Sequence, residues 1–197
     1  MEQSITILVV FLILATLLSA SVFDWRYREI PDWHWAIMFV VDIIISMVPK
    51  SEHSKAVYES ILPALDASKT CIDMSTIEPS ASVEISKMVK ATGAKFIDAP
   101  VVKSKPAAIA GKLGIYVGGD EETYEAMKPI LLYMGENVVR MGDNGAGLVM
   151  KICHNALVAQ IQNGVNETMC VAKKFGIGPV EFATAISYGG GQCFYMD

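Results

Sequence analysis

The chain has 197 residues, a formal net charge of −5 and 52% hydrophobic residues. That length suits one ordinary domain, or a domain with a membrane anchor. The acidic balance, with no basic run longer than two residues, argues against nucleic acid as a partner.

The first predicted element is Ile5–Phe23, nineteen residues without charge, Pro or Gly. It is long enough to cross a bilayer as a helix. Glu2, with no Lys or Arg before the apolar stretch, speaks against a signal peptide. Arg26 and Arg28 follow directly, so the positive-inside rule predicts a single-pass membrane protein with the bulk of the chain cytoplasmic. A buried core helix is the plain alternative. In the run from Asp24 to Trp35, Trp and Tyr beside charges mark a membrane interface. Asp24, Arg28, Ile30 and Pro31 resemble the start of archaeal type IV prepilin and preflagellin peptidases, which are membrane aspartyl proteases. The resemblance implies a peptidase role for Asp24. Such chemistry needs a second carboxylate, which that family carries in Gly-x-Gly-Asp. No such motif occurs, and Gly118-Gly119-Asp120 lacks the spacing. A solvated residue at a helix end is the plain reading of Asp24.

From Asp42 the pattern becomes that of an α/β protein, with apolar runs alternating with helical periodicity. Strands are predicted at Asp42–Val48, Thr70–Met74, Lys95–Val101, Leu113–Val117 and Asn137–Met141. Helices are predicted at Ser51–Leu65, with Ser51 as cap, at Glu78–Thr92 and at Glu121–Met134. Ser75, Thr76 and Pro79 signal the start of the second, and Gly93 its end. Alternation of this kind predicts parallel pairing with right-handed crossovers. Gly145 to Phe175 carries one apolar face (Leu148, Ile152, Ala156, Ile161, Val165, Met169, Ala172) and predicts a single helix of about 45 Å. A further helix starts at Pro179. Four cysteines, Cys71, Cys153, Cys170 and Cys193, show no CxxC pair and no metal-like spacing with the three histidines. They read as reduced, mostly buried thiols, and no metal site is expected.

Lys151 stands at the head of the long helix, with Asn155 one turn further along. A lysine held there can pass a proton to or from a substrate oxygen; the plain alternative is a surface lysine. Four blocks give this position meaning: Met47-Val-Pro49; Ile72-Asp-Met-Ser-Thr76; Asp98-Ala-Pro-Val101 with Gly111, Leu113 and Val117-Gly-Gly119; and Gly145-x-Gly147-x-x-x-Lys151-x-x-x-Asn155 with Glu167 beyond. In this order and spacing they resemble the β-hydroxyacid dehydrogenases, especially the 3-hydroxyisobutyrate dehydrogenase group, over residues 42–197.

The resemblance implies an NAD- or NADP-dependent oxidoreductase acting on a small hydroxy acid or semialdehyde. Lys151 matches the catalytic lysine and Asn155 a substrate-binding amide. A lysine desolvated in a cleft can serve as both acid and base. Val48, Pro49, His53 and Thr76 match cofactor-contacting strand ends. The family binds the substrate carboxylate through a Ser-Gly-Gly turn, and Val102, Lys103 and Ser104 stand in its place. Val102 removes a hydroxyl and Lys103 takes φ > 0 less readily than Gly, while Lys103 or Lys105 offers a point charge. Ser-Lys-Pro here is similar to the glyoxylate and succinic semialdehyde reductase branch.

A dinucleotide site also needs a Gly-rich turn and a ribose reader. The family's βαβ unit would precede Asp42, where the apolar segment stands. Gly145-Ala-Gly147 is no substitute: Met150 occupies the third glycine position, and Glu167 lies within the same helix. The expectation is an incomplete Rossmann-like parallel sheet (42–144), the start of an all-helical substrate and dimerisation domain (145–197), and an N-terminal transmembrane, prepilin-peptidase-like segment (1–41). A fused or misassembled reading frame, weak cofactor binding, impaired activity and self-association are expected with it. The alternatives are a truncated membrane peptidase and a noncatalytic, membrane-tethered interaction module.

Overall fold

A computed structural model describes residues 42–193. Asp24 and the apolar run Ile5–Phe23 lie outside the described residues. The elements in chain order are β1 (Ile43–Ser46), α1 (Ser51–Ile61) with a 3-10 turn at Leu62–Ala64, β2 (Thr70–Asp73), α2 (Pro79–Lys90), β3 (Lys95–Asp98), β4 (Val101–Val102), α3 (Ser104–Ile109), β5 (Leu113–Gly118), α4 (Glu121–Leu131), β6 (Gly135–Gly142), α5 (Ala146–Lys174) and α6 (Pro179–Ile186). The described residues divide into two compact units, the first ending at Leu148 and the second beginning at Val149.

In the first unit β1, β2 and β3 are parallel, and β5 and β6 are parallel. The expected parallel pairing holds within each group but not between them. β5 runs antiparallel to β3, through Asp98 and Gly118, and to β4. The predicted third strand breaks at Ala99-Pro100, and its continuation β4 pairs Val101 with Ile115 and Val102 with Gly114. The connection from β4 back to β5 is α3, which is too short for a parallel crossover; that needs a dozen or more residues.

Two apolar clusters form the core. One holds Tyr58, Ile85, Val89, Cys71, Phe96 and Leu148, with Tyr58 edge-on to Phe96 at 5.3 Å between centroids. The other holds Ile72, Ile97, Ile115, Val117, Tyr124 and Leu131. Alternation along β2 and β3 divides the residues between them: Cys71 and Phe96 go to one cluster, Ile72 and Ile97 to the other. Of the four cysteines only Cys71 is fully buried, and burial pushes its thiol up to about 12. Cys153 and Cys170 are exposed, contrary to expectation.

Ser51 does not cap its helix. Its hydroxyl accepts the N–H of Glu78 at 3.1 Å, tying the loop before α2 to the start of α1. Asp120 has a plain structural task. Its Oδ1 accepts from Thr123 N at 2.9 Å and Thr123 Oγ1 at 2.6 Å, which caps α4.

In the second unit, no residue of α5 or α6 is buried. Ile152, Leu157, Val171, Phe175, Val180 and Tyr188 are exposed. No helix among the described residues is long and apolar enough to cross a membrane. The longest, α5, carries Lys151, Glu167, Lys173 and Lys174 among many amides. The transmembrane helix expected at Ile5–Phe23 falls outside the described residues.

Candidate active site

The C-terminal ends of β1, β2 and β3 lie side by side, in register through Ser46, Asp73 and Asp98. In an open α/β sheet this is the edge where ligands bind. Val48 follows β1, and its N–H donates to Ser75 Oγ at 2.8 Å, just after β2. The structure thus joins the loops that carry Val48-Pro49 and Thr76. Val48 is half-buried, while Pro49 and Thr76 are exposed. His53 is exposed on α1, next to Ser54.

Asp73 organises this corner. It is buried, its Oδ1 accepts the N–H of Ser75 at 2.9 Å, and its other oxygen accepts the Ser54 hydroxyl. Nearby, Ser46 Oγ and Tyr58 Oη share a hydrogen bond of 2.7 Å. Burial and the neighbouring Asp73 carboxylate push the Tyr58 phenol well above its usual range. These are neutral or paired groups that hold the loops still.

The turn after β4 departs from what its side chains prefer. Lys103 and Ser104 both take left-handed backbone, at φ 83° and 60°. This region favours glycine. Val102 is buried, with its Cγ2 so near Gly114 that a Cβ there would sit 2.6 Å away. Lys103 Nζ lies 2.6 Å from Glu136 Oε1, and this partner holds the Glu136 carboxyl below its usual range. The Lys103 charge is therefore already engaged. Ser104 and Lys105 are exposed at the start of α3.

Lys151 lies one turn beyond Gly147 on α5, half-buried, and desolvation lowers its ammonium pKa. Asn155 is exposed one turn further. Glu167 accepts from Asn163 Nδ2 at 2.9 Å within the same helix. The glycines before Lys151 have a packing reason. Gly145 takes φ 92°, and a Cβ on Gly147 would meet the Tyr116 carbonyl at 2.5 Å.

The contact that sequence reasoning missed joins two of the blocks. Asp98, fully buried at the end of β3, accepts Gly145 N–H at 2.6 Å and Leu148 N–H at 3.2 Å. Burial pushes its carboxyl up to about 6, against the pull of those two N–H groups, and Asp73 alongside raises it further. One signal could have been read: β2 and β3 are short apolar strands that each end in Asp.

Strands meeting at one edge, with two loops tied across it, define a dinucleotide-binding α/β domain. The family model for the NAD binding domain of 6-phosphogluconate dehydrogenase matches residues 30–142, more than half of the chain. The chain belongs to that family, as the resemblance to β-hydroxyacid dehydrogenases implied, and its cofactor class is NAD or NADP. The mitochondrial 3-hydroxyisobutyrate dehydrogenase of Mus musculus is 38% identical over 159 residues, 79% of this chain and 48% of that protein. The 3-hydroxyisobutyrate dehydrogenase of Pseudomonas aeruginosa is 32% identical over 76% of this chain and 51% of its own length. A Mycobacterium tuberculosis 3-hydroxyisobutyrate dehydrogenase, solved with L-serine, superposes with a TM-score of 0.78 at 30% identity, covering 82% of this chain and 55% of that one. The chain spans about half the length of the curated relatives it matches.

These findings overturn the single-pass membrane localisation. The relatives are dehydrogenases, of mitochondria among others, and no described helix can span a bilayer. The prepilin-peptidase resemblance gains no support from the family match or from the relatives.

Proposed function

We propose that this chain is a nicotinamide-dependent dehydrogenase of small hydroxy acids or semialdehydes, with Lys151 as the acid–base group. The observation that carries the reading is the state of Lys151. It is half-buried on α5 with its ammonium pKa lowered by desolvation, four residues before Asn155. A lysine in that state gives up and regains a proton more readily than a solvated one. Its role is to move the proton on the substrate oxygen while the carbon changes oxidation state. Asn155 orients that oxygen or the amine. Bound NAD or NADP supplies the hydride acceptor or donor.

The residues present fit one end of that cofactor. Val48, Pro49, His53 and Thr76 would flank the nicotinamide at the ends of β1 and β2. The pyrophosphate end is different: residues 1–92 contain no glycine, so no Gly-rich turn precedes or follows β1. Binding by this chain is therefore weak in our reading. The turn Val102-Lys103-Ser104 takes the place of a carboxylate-binding turn. Lys103, already paired with Glu136, contributes at most a partly neutralised charge. The exposed apolar side chains of α5 and α6, Phe175 and Tyr188 among them, favour self-association.

Turnover of 3-hydroxy acids with NAD and NADP tests the assignment. Lys151→Ala should lower kcat by roughly 10²–10⁴, the usual worth of a positioned acid–base group. Lys151→Arg should not restore it, because guanidinium keeps its proton. Normal turnover by Lys151→Ala would refute the assignment.

A further inference from the structure

We propose that Asp98 is a positioning residue that fixes where the helix carrying Lys151 begins. This rests on the reading of Lys151 given above, and its test does not require turnover. The first N–H groups of a helix have no partner within it. At α5 the acceptor comes from the end of a distant strand. Asp98 Oδ1 takes Gly145 N–H at 2.6 Å, and Oδ2 takes Leu148 N–H at 3.2 Å. One carboxylate with two fixed acceptors sets both the translation and the rotation of the helix start. It also meets the positive end of the helix dipole.

The surroundings are shaped for this contact. A Cβ on Gly147 would stand 2.8 Å from Asp98 Oδ2, and one on Gly118 would stand 2.5 Å from Oδ1. Two glycines, on α5 and β5, clear the space that the carboxylate fills. Asn144 makes a second tie just before the helix. Its Nδ2 donates to Phe96 O at 3.0 Å and to Gly118 O at 3.3 Å, and its Oδ1 accepts from Lys90 Nζ at 2.6 Å.

The choice of residue is costly, which argues that it serves a purpose. Burial opposes the Asp98 anion, and Asp73, its register partner on β2, opposes it further. An asparagine would avoid that cost. It would offer only one acceptor, however, and would turn its NH₂ toward a helix N–H. Lys151 lies one turn beyond Gly147, so a slipped or frayed helix start displaces its amine. Misplacement of a reacting group by about 1 Å can cost 10²-fold in rate.

The test uses the 197-residue chain with Asp98→Ala, Asp98→Asn and Gly147→Ala. Amide hydrogen exchange is followed at Gly145–Lys151 and, for reference, at Ile72, Ile97 and Ile115. The reactivity of Lys151 toward acetic anhydride is followed against pH by mass spectrometry. In Asp98→Ala, protection at Gly145 and Leu148 should fall roughly tenfold or more, the effect of losing a charge-assisted hydrogen bond. The reference amides should keep theirs, and the Lys151 profile should shift toward that of an ordinary lysine. Asp98→Asn should recover part of both. Gly147→Ala should reproduce the loss from the other side of the contact.

Unchanged protection and an unchanged Lys151 profile in Asp98→Ala would overturn the proposal. Loss spread equally over the reference amides would overturn it too, because Asp98 would then be only a general stabiliser. Should Asp98→Ala not fold, Asp98→Asn gives the same two readouts: a smaller loss at Gly145 and Leu148 is expected, and no loss would overturn the proposal. A Lys151→Ala variant with normal turnover would sink the catalytic reading without altering any of these results.

Discussion

Asp98 keeps its proton up to about pH 6 because burial at the end of β3 opposes the anion more than the N–H groups of Gly145 and Leu148 favour it. An unfolded aspartate titrates near 3.9. Between those values the folded chain binds more protons than the unfolded one, so stability falls as pH rises. Above about 6 the loss is complete, on the order of 3 kcal/mol at 1.36 kcal/mol per unit. Urea midpoints should therefore increase from pH 7.5 to pH 5. Asp98→Asn should flatten that slope, and an unchanged slope would assign it to another group. A second residue-level prediction concerns Ser104, at φ 60°. Glycine there relieves left-handed strain, so Ser104→Gly should be neutral or stabilising by up to about 1 kcal/mol in denaturant unfolding. The spacing of Lys151 to Gly145, Gly147 and Asn155 singles it out in the sequence, and its role is a proposal. Asp98 was not legible, because its partners lie on a helix start far along the chain and no local pattern encodes them.

At the scale of elements, two glycines of α5 make opposite predictions. Nothing lies within 4 Å of a Cβ on Gly164, whereas one on Gly147 would meet the Tyr116 carbonyl at 2.5 Å. Gly164→Ala should stabilise by roughly 0.5–1 kcal/mol through helix propensity. Gly147→Ala should destabilise by roughly 1–3 kcal/mol through overpacking. Denaturant melts of both variants check this, and equal effects would contradict the packing at the helix start. Most strands and helices were readable within a few residues, since apolar runs and helical periodicity report burial directly. The β3–β4 break and the antiparallel direction of β5 were not read. The stretch between Val102 and Leu113 is too short for a parallel crossover, and that length was the available clue. The hydroxyls of Ser51 and Ser75 were read as helix-start signals, but each goes to a neighbouring loop instead. Side-chain partners of that kind depend on which strands end together.

At the scale of the whole molecule, β1, β2 and β3 end side by side, as in open sheets that bind dinucleotides. Exposed apolar residues of α5 and α6 predict self-association, which sedimentation velocity would show as dimers or larger species. A monomer at tens of micromolar would contradict it. Cofactor binding bears most directly on the proposed function. Charge-assisted hydrogen bonds of about 1.5–3 kcal/mol each normally hold the pyrophosphate, and residues 1–92 contain no glycine with which to build the usual turn. Their loss carries a micromolar site to one weaker than about 1 mM. The direct measurement is an amide NMR titration of the 197-residue chain with NADH and NADPH. Saturable shifts at Val48, Ser75 and Thr76 are expected, with a Kd weaker than about 1 mM. Shifts elsewhere with none at these strand ends, or a Kd in the low micromolar range, would contradict that expectation.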